Sequence, residues 1–330
     1  AFSMINAFVF LWPGDILYPY ALCGLVLFPF RNMAPRKLLM CALFLLAFGI
    51  YRDTSTMYAN KAMIENGRKA EMLEKQRKKL TDDQKGALRK WKRYSEENSS
   101  EGYMKAAEGE TAETKQADYF KLFAIIRGVN AEIQSVFFYN SWWDPLLLFF
   151  TGMALFKSGF LTGSKPTWLY IIIAVLGIGI GLTINYFVLS LAYTSRFDGV
   201  KITEAMPFEP YQVRRVAQTL GYLSLLILLY KISPIRKVLN IFTPVGQMAF
   251  TNYLSQSIFA AVIFYGLGWF GEFQRYQVYI IVACIWVFQI IFSTIWLKYF
   301  LFGPFEWLWR SLTYQKLQPF RKTEQLETVL

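Results

Sequence analysis

The chain contains no histidine, and that absence removes Ser-His-Asp and Cys-His catalysis together with every zinc set built on imidazole. Any proton transfer falls to a carboxylate, a tyrosine, a lysine or the substrate itself. Cysteine is scarce. Cys23, Cys41 and Cys284 all lie inside apolar runs and read as small packing residues, not as a disulfide framework; no metal centre is expected. A phosphate-cradling glycine loop is also missing. Gly177, Gly179 and Gly181 sit within a long apolar stretch, where they predict close helix packing, and this argues against ATP-driven transport by the chain alone. The opening residues AFSMINAFVFLW lack both an initiator methionine and the basic flank of a signal peptide. They read as the middle of an apolar helix, so further residues are expected upstream.

What the sequence does have is apolar surface in excess. Of its 330 residues, 55% are hydrophobic and 18% aromatic, and the mean hydropathy is +0.28, too much for a soluble domain to bury. The surplus must meet lipid. A membrane helix needs about 20 apolar residues, and runs at roughly 1–12, 15–30, 37–51, 142–157, 167–193, 211–230, 243–267 and 276–302 predict an all-α polytopic bundle of about eight membrane helices. The net charge of +12 falls partly in short connections. Arg31, Arg36, Lys37, Lys157, Lys165, Lys231, Arg236, Lys237 and the C-terminal Arg310, Lys316, Arg321 and Lys322 recur in alternate connections, which marks that side and the C-terminus as cytoplasmic and makes nucleic acid the weaker partner.

Four regions follow: membrane helices over 1–51, a charged helical insertion over 52–140 on the extracytoplasmic side, membrane helices over 141–302, and an interfacial helix and tail over 303–330. Within the insertion, Thr81 and Gln84 form a capping-box pattern. Tyr119, Phe120, Phe123, Ile126, Ile133 and Phe137 recur at helical spacing. The segment suits a solvated lid or spacer, or a surface for a protein partner.

Polar side chains are costly in a bilayer, so each is a candidate. The densest group is TPVGQMAFTNYLSQS, where Asn252 and Gln256 share one helix face and Tyr253 and Ser257 the next; these faces line either a cavity or a helix contact. Asp15 follows Trp12-Pro13-Gly14 and can cap the new helix or, if buried, act as a general base. Asn6, Asn185 and Gln289 are isolated amides. Asp144, ahead of Pro145, suits a cap. Glu306 and Arg310 are four apart on a tryptophan-rich stretch, which predicts an ion pair on an interfacial helix, or leaves Arg310 to reach an anionic ligand.

The segments NAFVFLWPGDILYPYALCGLVLFPFRNMAPRKLL, LLLFFTGMALFKSGFLTG, GQMAFTNYLSQS and GPFEWLWRSLTY resemble, in order, the YeiB family of bacterial membrane proteins, also called domain of unknown function 418. The family is grouped with transmembrane acyltransferases. The resemblance implies an inner-membrane bundle that passes an acyl group from acyl-CoA to an envelope glycan, lipid or small metabolite. It implies Asp15 and Asn6 as catalytic residues and Asn252, Tyr253, Gln256, Ser257 and Gln247 as substrate contacts, with Arg310 at an anionic ligand. The family usually has histidine at Asn6 and arginine at Gln247, its amino-terminal segment has no counterpart here, and the 52–140 insertion is longer than usual. Two other functions stay open: a small-solute transporter using the 251–257 cluster, and a noncatalytic assembly subunit binding membrane lipids and a partner.

Overall fold

The computed structural model describes residues 2–322. Among these residues every regular element is helical, apart from one isolated bridge between Phe300 and Arg321. In order the helices are α1 (Phe2–Phe8), α2 (Leu17–Leu27), α3 (Pro35–Lys75), α4 (Asp82–Glu97), α5 (Ser100–Lys115), α6 (Tyr119–Glu132), α7 (Phe138–Ser141), α8 (Trp143–Lys157), α9 (Thr167–Thr194), α10 (Gly199–Ala205), α11 (Tyr211–Lys231), α12 (Ser233–Leu239), α13 (Thr243–Gln247), α14 (Ala249–Ala260), α15 (Arg275–Tyr299) and α16 (Pro304–Thr313). The last eight residues of the expected 303–330 tail lie outside the described residues.

Three helices, α3, α9 and α15, are each long and apolar enough to cross a membrane. A fourth span arises if α11 and the segment Ser233–Gln247, bent by 112°, count as one. The outer faces of α9 and α15 are apolar: Val175, Leu176, Ile291 and Ile295 are all more than half exposed, an arrangement suited to lipid and costly in water. The other runs are cut shorter. Residues 1–12 give a seven-residue α1 ahead of the Pro13-Gly14 turn, 15–30 an eleven-residue α2 that ends in a 3-10 turn, and 142–157 a fifteen-residue α8. Residues 243–267 break at Met248 and pass into a π-helical turn at Ala261–Gly266. Single-helix length therefore accounts for three or four of the eight runs.

The described chain falls into two compact units. One comprises residues 22–110 and 141–229. Its axis is α3, whose 41 residues reach about 60 Å at 1.5 Å per residue, twice the thickness of a bilayer core. The composition changes at residue 52, but the helix continues, because backbone hydrogen bonds propagate without regard to the hydropathy of side chains. Trp143 of α8 packs on its apolar half, where a Cβ added to Gly49 would stand 2.2 Å from the indole. On its polar half α4 doubles back, started by the Thr81–Gln84 capping box. Trp91 lies against Gly67, where a Cβ would meet the tryptophan at 2.1 Å, and donates its indole N–H to Glu71 at 2.9 Å. Ile64, Ala70, Leu88, Trp91 and Val200 form the core there.

The glycines of α9 pack as expected at two of the three positions. A Cβ on Gly177 would stand 2.5 Å from the Ala217 carbonyl and 2.9 Å from Gly221 of α11, and one on Gly181 2.0 Å from Gln218, while Gly179 faces open space. Gly177→Leu is expected to force the helices apart and cost about 3 kcal/mol, seen as a lowered thermal midpoint of the purified protein. Gly179→Leu should leave the midpoint unchanged.

The second unit comprises residues 1–21, 111–140 and 230–330; the 52–140 insertion thus contributes to both units and divides near residue 110. On α6 the buried positions are Leu122, Ile126 and Asn130, continued by Gln134 in the following π-turn. That is a stripe every four residues, whereas Phe120 and Phe137 point outward at 79% and 64% exposure. Along α15 Phe288 stacks on Phe292, the Phe292 and Trp296 rings meet tilted, and Trp296 stacks on Phe300 just past the helix end. Phe320 closes over the last two, fixed by hydrogen bonds from Leu301 N–H to its carbonyl and from Lys322 N–H to the Tyr299 carbonyl.

Candidate functional site

The site grows from the WPGD turn. Pro13 cannot continue a helix, Gly14 adopts φ +76°, which glycine takes without steric cost, and Leu11 is held at φ +53°, a left-handed conformation that costs an L-residue about 1–2 kcal/mol. This reversal places Asp15 at the start of α2, where its Oδ2 accepts from the backbone N–H groups of Leu17 and Tyr18 at 3.1 and 3.3 Å. Asp15 therefore does cap the helix. It also does more, since the carboxylate is only 2% exposed. Ser3 Oγ donates to Oδ2, Asn6 Nδ2 donates to Oδ1 at 2.7 Å, and the Tyr253 hydroxyl donates to Oδ1 at 3.0 Å.

Each partner is itself held. The Tyr253 oxygen accepts from Ile16 N–H at 3.3 Å. Asn6 is fully buried, its Oδ1 meets no donor, and the second contact of its amide, toward the Tyr253 oxygen, is long at 3.5 Å. Asn130, also fully buried, donates to the Ala7 carbonyl at 2.6 Å and accepts from Gly14 N–H at 3.1 Å, so α6 fastens both the end of α1 and the turn.

Three successive residues of α14 face three different partners, as about 100° of rotation per residue requires. Tyr253 reaches Asp15. Asn252 turns to α15, donating to Ser293 Oγ at 3.0 Å and to the Val245 carbonyl at 3.1 Å; Gln289 donates to the Asn252 carbonyl at 2.8 Å and to Ser255 at 2.9 Å, and accepts from Gln256 at 3.0 Å. The Asn252–Gln256 face is thus a helix contact in which the amides satisfy one another. Thr251 meets Glu306. That carboxylate accepts from Phe250 N–H at 2.7 Å, from Thr251 N–H at 2.9 Å and from the Thr251 hydroxyl, while Thr251 Oγ1 accepts from Phe305 N–H at 3.1 Å. Two helix starts, α14 and α16, cap each other.

This use of Glu306 replaces the ion pair expected with Arg310. Arg310 instead lies over the Phe302 ring at 4.4 Å, and its Nε has no partner. Ser257 is buried, and Gln247 is exposed at the end of α13, outside the Asp15 cluster. Gly303 is sealed into the double cap, since a Cβ there would stand 2.2 Å from Glu306 Oε2 and 2.7 Å from Thr251 Oγ1. Gly303→Ala is therefore expected to break both caps and cost about 2 kcal/mol, measurable as a drop in thermal midpoint that Glu306→Gln reproduces.

Beside the cluster lies a cavity of about 510 Å³ whose walls include Pro13 and Gln256. In the other unit a second polar group forms around Asp144. Its carboxylate takes a two-point clasp from Arg215, both bonds 2.6 Å. Gln212, 2% exposed, donates to Asp53 at 3.0 Å and Asp144 at 3.2 Å and accepts from Arg215 at 2.9 Å. Asn185 accepts from Arg214 at 2.8 Å. Nearby, burial pushes the Glu209 carboxyl up, against the pull of the Tyr211 N–H. Sequence reasoning overlooked Ser3, Asn130 and Gln212. Only Asn130 left a signal, its place in the four-residue stripe of α6.

The family model described as "Protein of unknown function (DUF418)" matches residues 155–316. The chain is 32% identical over 333 residues to the uncharacterized protein YxaH of Bacillus subtilis (strain 168), covering 97% of this chain and 71% of that protein. It is 35% identical over 179 residues to the uncharacterized protein YeiB of Escherichia coli (strain K12), covering 54% and 46% respectively. No solved structure matches. The match to YxaH covers nearly all of the chain, and with the family model over residues 155–316 it establishes that this chain belongs to the DUF418 family.

Proposed function

We propose that this protein is an acyltransferase of the bacterial inner membrane, moving an acyl group from acyl-CoA to an acceptor hydroxyl or amine in the envelope. In this reading all eight apolar runs lie in the membrane, the shorter ones as broken or paired segments, with the C-terminus cytoplasmic. The observation that carries it is the buried Asp15 carboxylate meeting two hydroxyls and an amide at once. Acyl transfer needs a base for the acceptor proton and a donor for the oxyanion of the tetrahedral intermediate. Asp15 supplies the base when the acceptor displaces one of its hydroxyl donors, Ser3 being the one on a short side chain. Asn6 supplies the second requirement, because its amide keeps a hydrogen engaged only at 3.5 Å. With an amine acceptor, its free Oδ1 can accept the N–H that Asp15 does not take. Tyr253 positions Asp15 rather than reacting.

The acceptor oxygen or nitrogen forms the new bond to the acyl carbon, the thioester C–S bond breaks, and the acceptor's proton leaves through Asp15 to the CoA thiolate. Arg310, which has no ion pair among the described residues because Glu306 is engaged with Thr251, is suited to the CoA phosphates. The transport reading is less supported, because Asn252 and Gln289 spend their amides on the contact of α14 with α15 and leave Gln256 to border the cavity. The test is the purified full-length protein with radiolabelled acetyl-CoA and long-chain acyl-CoA, supplied with envelope lipids and glycans. Label is expected on an acceptor, with free CoA formed in equal amount. Absence of both binding and transfer for every donor would sink the assignment.

A further inference from the structure

We propose that the cavity beside Asp15 holds a hydrocarbon chain of a lipid-class substrate, so that one of the two reactants carries a long acyl or alkyl tail. This rests on the acyl-transfer reading for its purpose, though the site itself rests on geometry. The volume, about 510 Å³, lies in the range of about 300–1,000 Å³ in which small-molecule sites fall. Its walls are mostly hydrocarbon: Phe264, Val278, Val282 and Trp286 are joined by Tyr265 and one amide, Gln256, and by no charged side chain. Such a lining packs against a hydrocarbon chain and offers no charge partner to an ion or a phosphate.

Its position gives the chain a direction. Pro13 is two residues before Asp15, and Gln256 is three residues after Tyr253 on the same helix, which makes their side chains neighbours about 5–6 Å apart at Cβ. The two segments that build the polar cluster therefore also wall the cavity. A tail seated there with its head group toward Pro13 and Gln256 has its polar end on the Asp15 side of the cavity. Gln256 marks the boundary, its amide tied to Gln289 at 3.0 Å.

The probe is a sixteen-carbon fatty acid bearing a mid-chain diazirine, photolysed with the full-length protein in nanodiscs and mapped by mass spectrometry. Label is expected on the segments around residues 10–13, 260–265 and 278–286, and Val282→Trp should lower it about tenfold, the equivalent of 1.4 kcal/mol. Ile280→Trp, on a position 60% exposed, should leave the labelling unchanged and controls for adsorption to the outer surface. In competition by saturated acids, displacement of the probe should strengthen with chain length until the cavity is full, and Val282→Trp should move that limit to a shorter chain. Labelling that spreads evenly over the lipid-facing helices and ignores Val282→Trp overturns the proposal. Confined labelling without acyl transfer from any donor would keep the chain site and remove the acyl-transfer reading. Acetyl transfer indifferent to Val282→Trp, with no confined labelling, would do the reverse.

Discussion

Asp15→Asn is expected to lower acyl transfer by about 10²–10⁴-fold, the usual contribution of a positioned acid or base, with kcat falling and KM for the acyl donor nearly unchanged. The substitution keeps the shape of the side chain and turns one acceptor oxygen into a donor, directed at Ser3 Oγ and two backbone N–H groups or at Asn6 Nδ2 and the Tyr253 hydroxyl. Donors would then face donors in a pocket with almost no water. Stability should fall as well, by about 1–3 kcal/mol, so the activity loss needs a second variant to interpret it. Tyr253→Phe removes one donor and leaves the carboxylate in place. It should cost about 1 kcal/mol of stability and about tenfold in kcat, since the base is present but less firmly aimed. Transfer at the wild-type rate by folded Asp15→Asn would reduce Asp15 to a helix cap, and the reaction would need another base.

What the sequence could reveal depended on range. The WPGD turn, the cap at Asp15 and the Thr81–Gln84 box are local, and residues within four positions of each other determine them. The i, i+4 rule also sorted α14 correctly into faces, since Asn252 and Gln256 both meet Gln289. It could not say which face meets a helix and which meets Asp15. The same rule misled at Glu306. A pair with Arg310 on an exposed helix surface is worth about 0.2–0.5 kcal/mol, whereas the backbone N–H groups of Phe250 and Thr251 at a buried helix start would cost more if left unpaired. The longer-range bond prevails, and sequence alone gives no sign of it. Membrane span counting met a related limit. Hydropathy located every apolar run, but Pro13, Pro244 and the π-turn after Ala260 set how much of each is one straight helix. Ser3 was invisible because a serine on an apolar helix carries no pattern; only its position one turn before Asn6, facing the same carboxylate, gives it meaning.

Asp144→Ala is expected to destabilise the protein by about 3 kcal/mol, the cost of removing one partner from a buried ion pair, at a site where neither side chain is more than about a quarter exposed. The loss is large because two groups are stranded. Arg215 would keep Gln212 and the neighbouring Tyr211, with its Nε already lacking a partner; the Gln212 amide N–H would keep Asp53 but lose Asp144. For a chain of this length the thermal midpoint should fall by about 4 °C, read from the reactivity of the buried Cys23 thiol as the fold opens. Arg215→Ala should be similarly damaging, since it leaves Asp144 and Asp53 sharing one amide. The pair Asp144→Asn with Arg215→Gln removes both charges and keeps the hydrogen-bonding shape. It should be less harmful than the sum of its single changes, with a coupling energy of about 2 kcal/mol. Strict additivity would mean that the 2.6 Å clasp contributes little beyond its separate hydrogen bonds. Coupling near 2 kcal/mol would identify it as the electrostatic lock of α8 against α11, a role in stability for which the chemistry at Asp15 has no need.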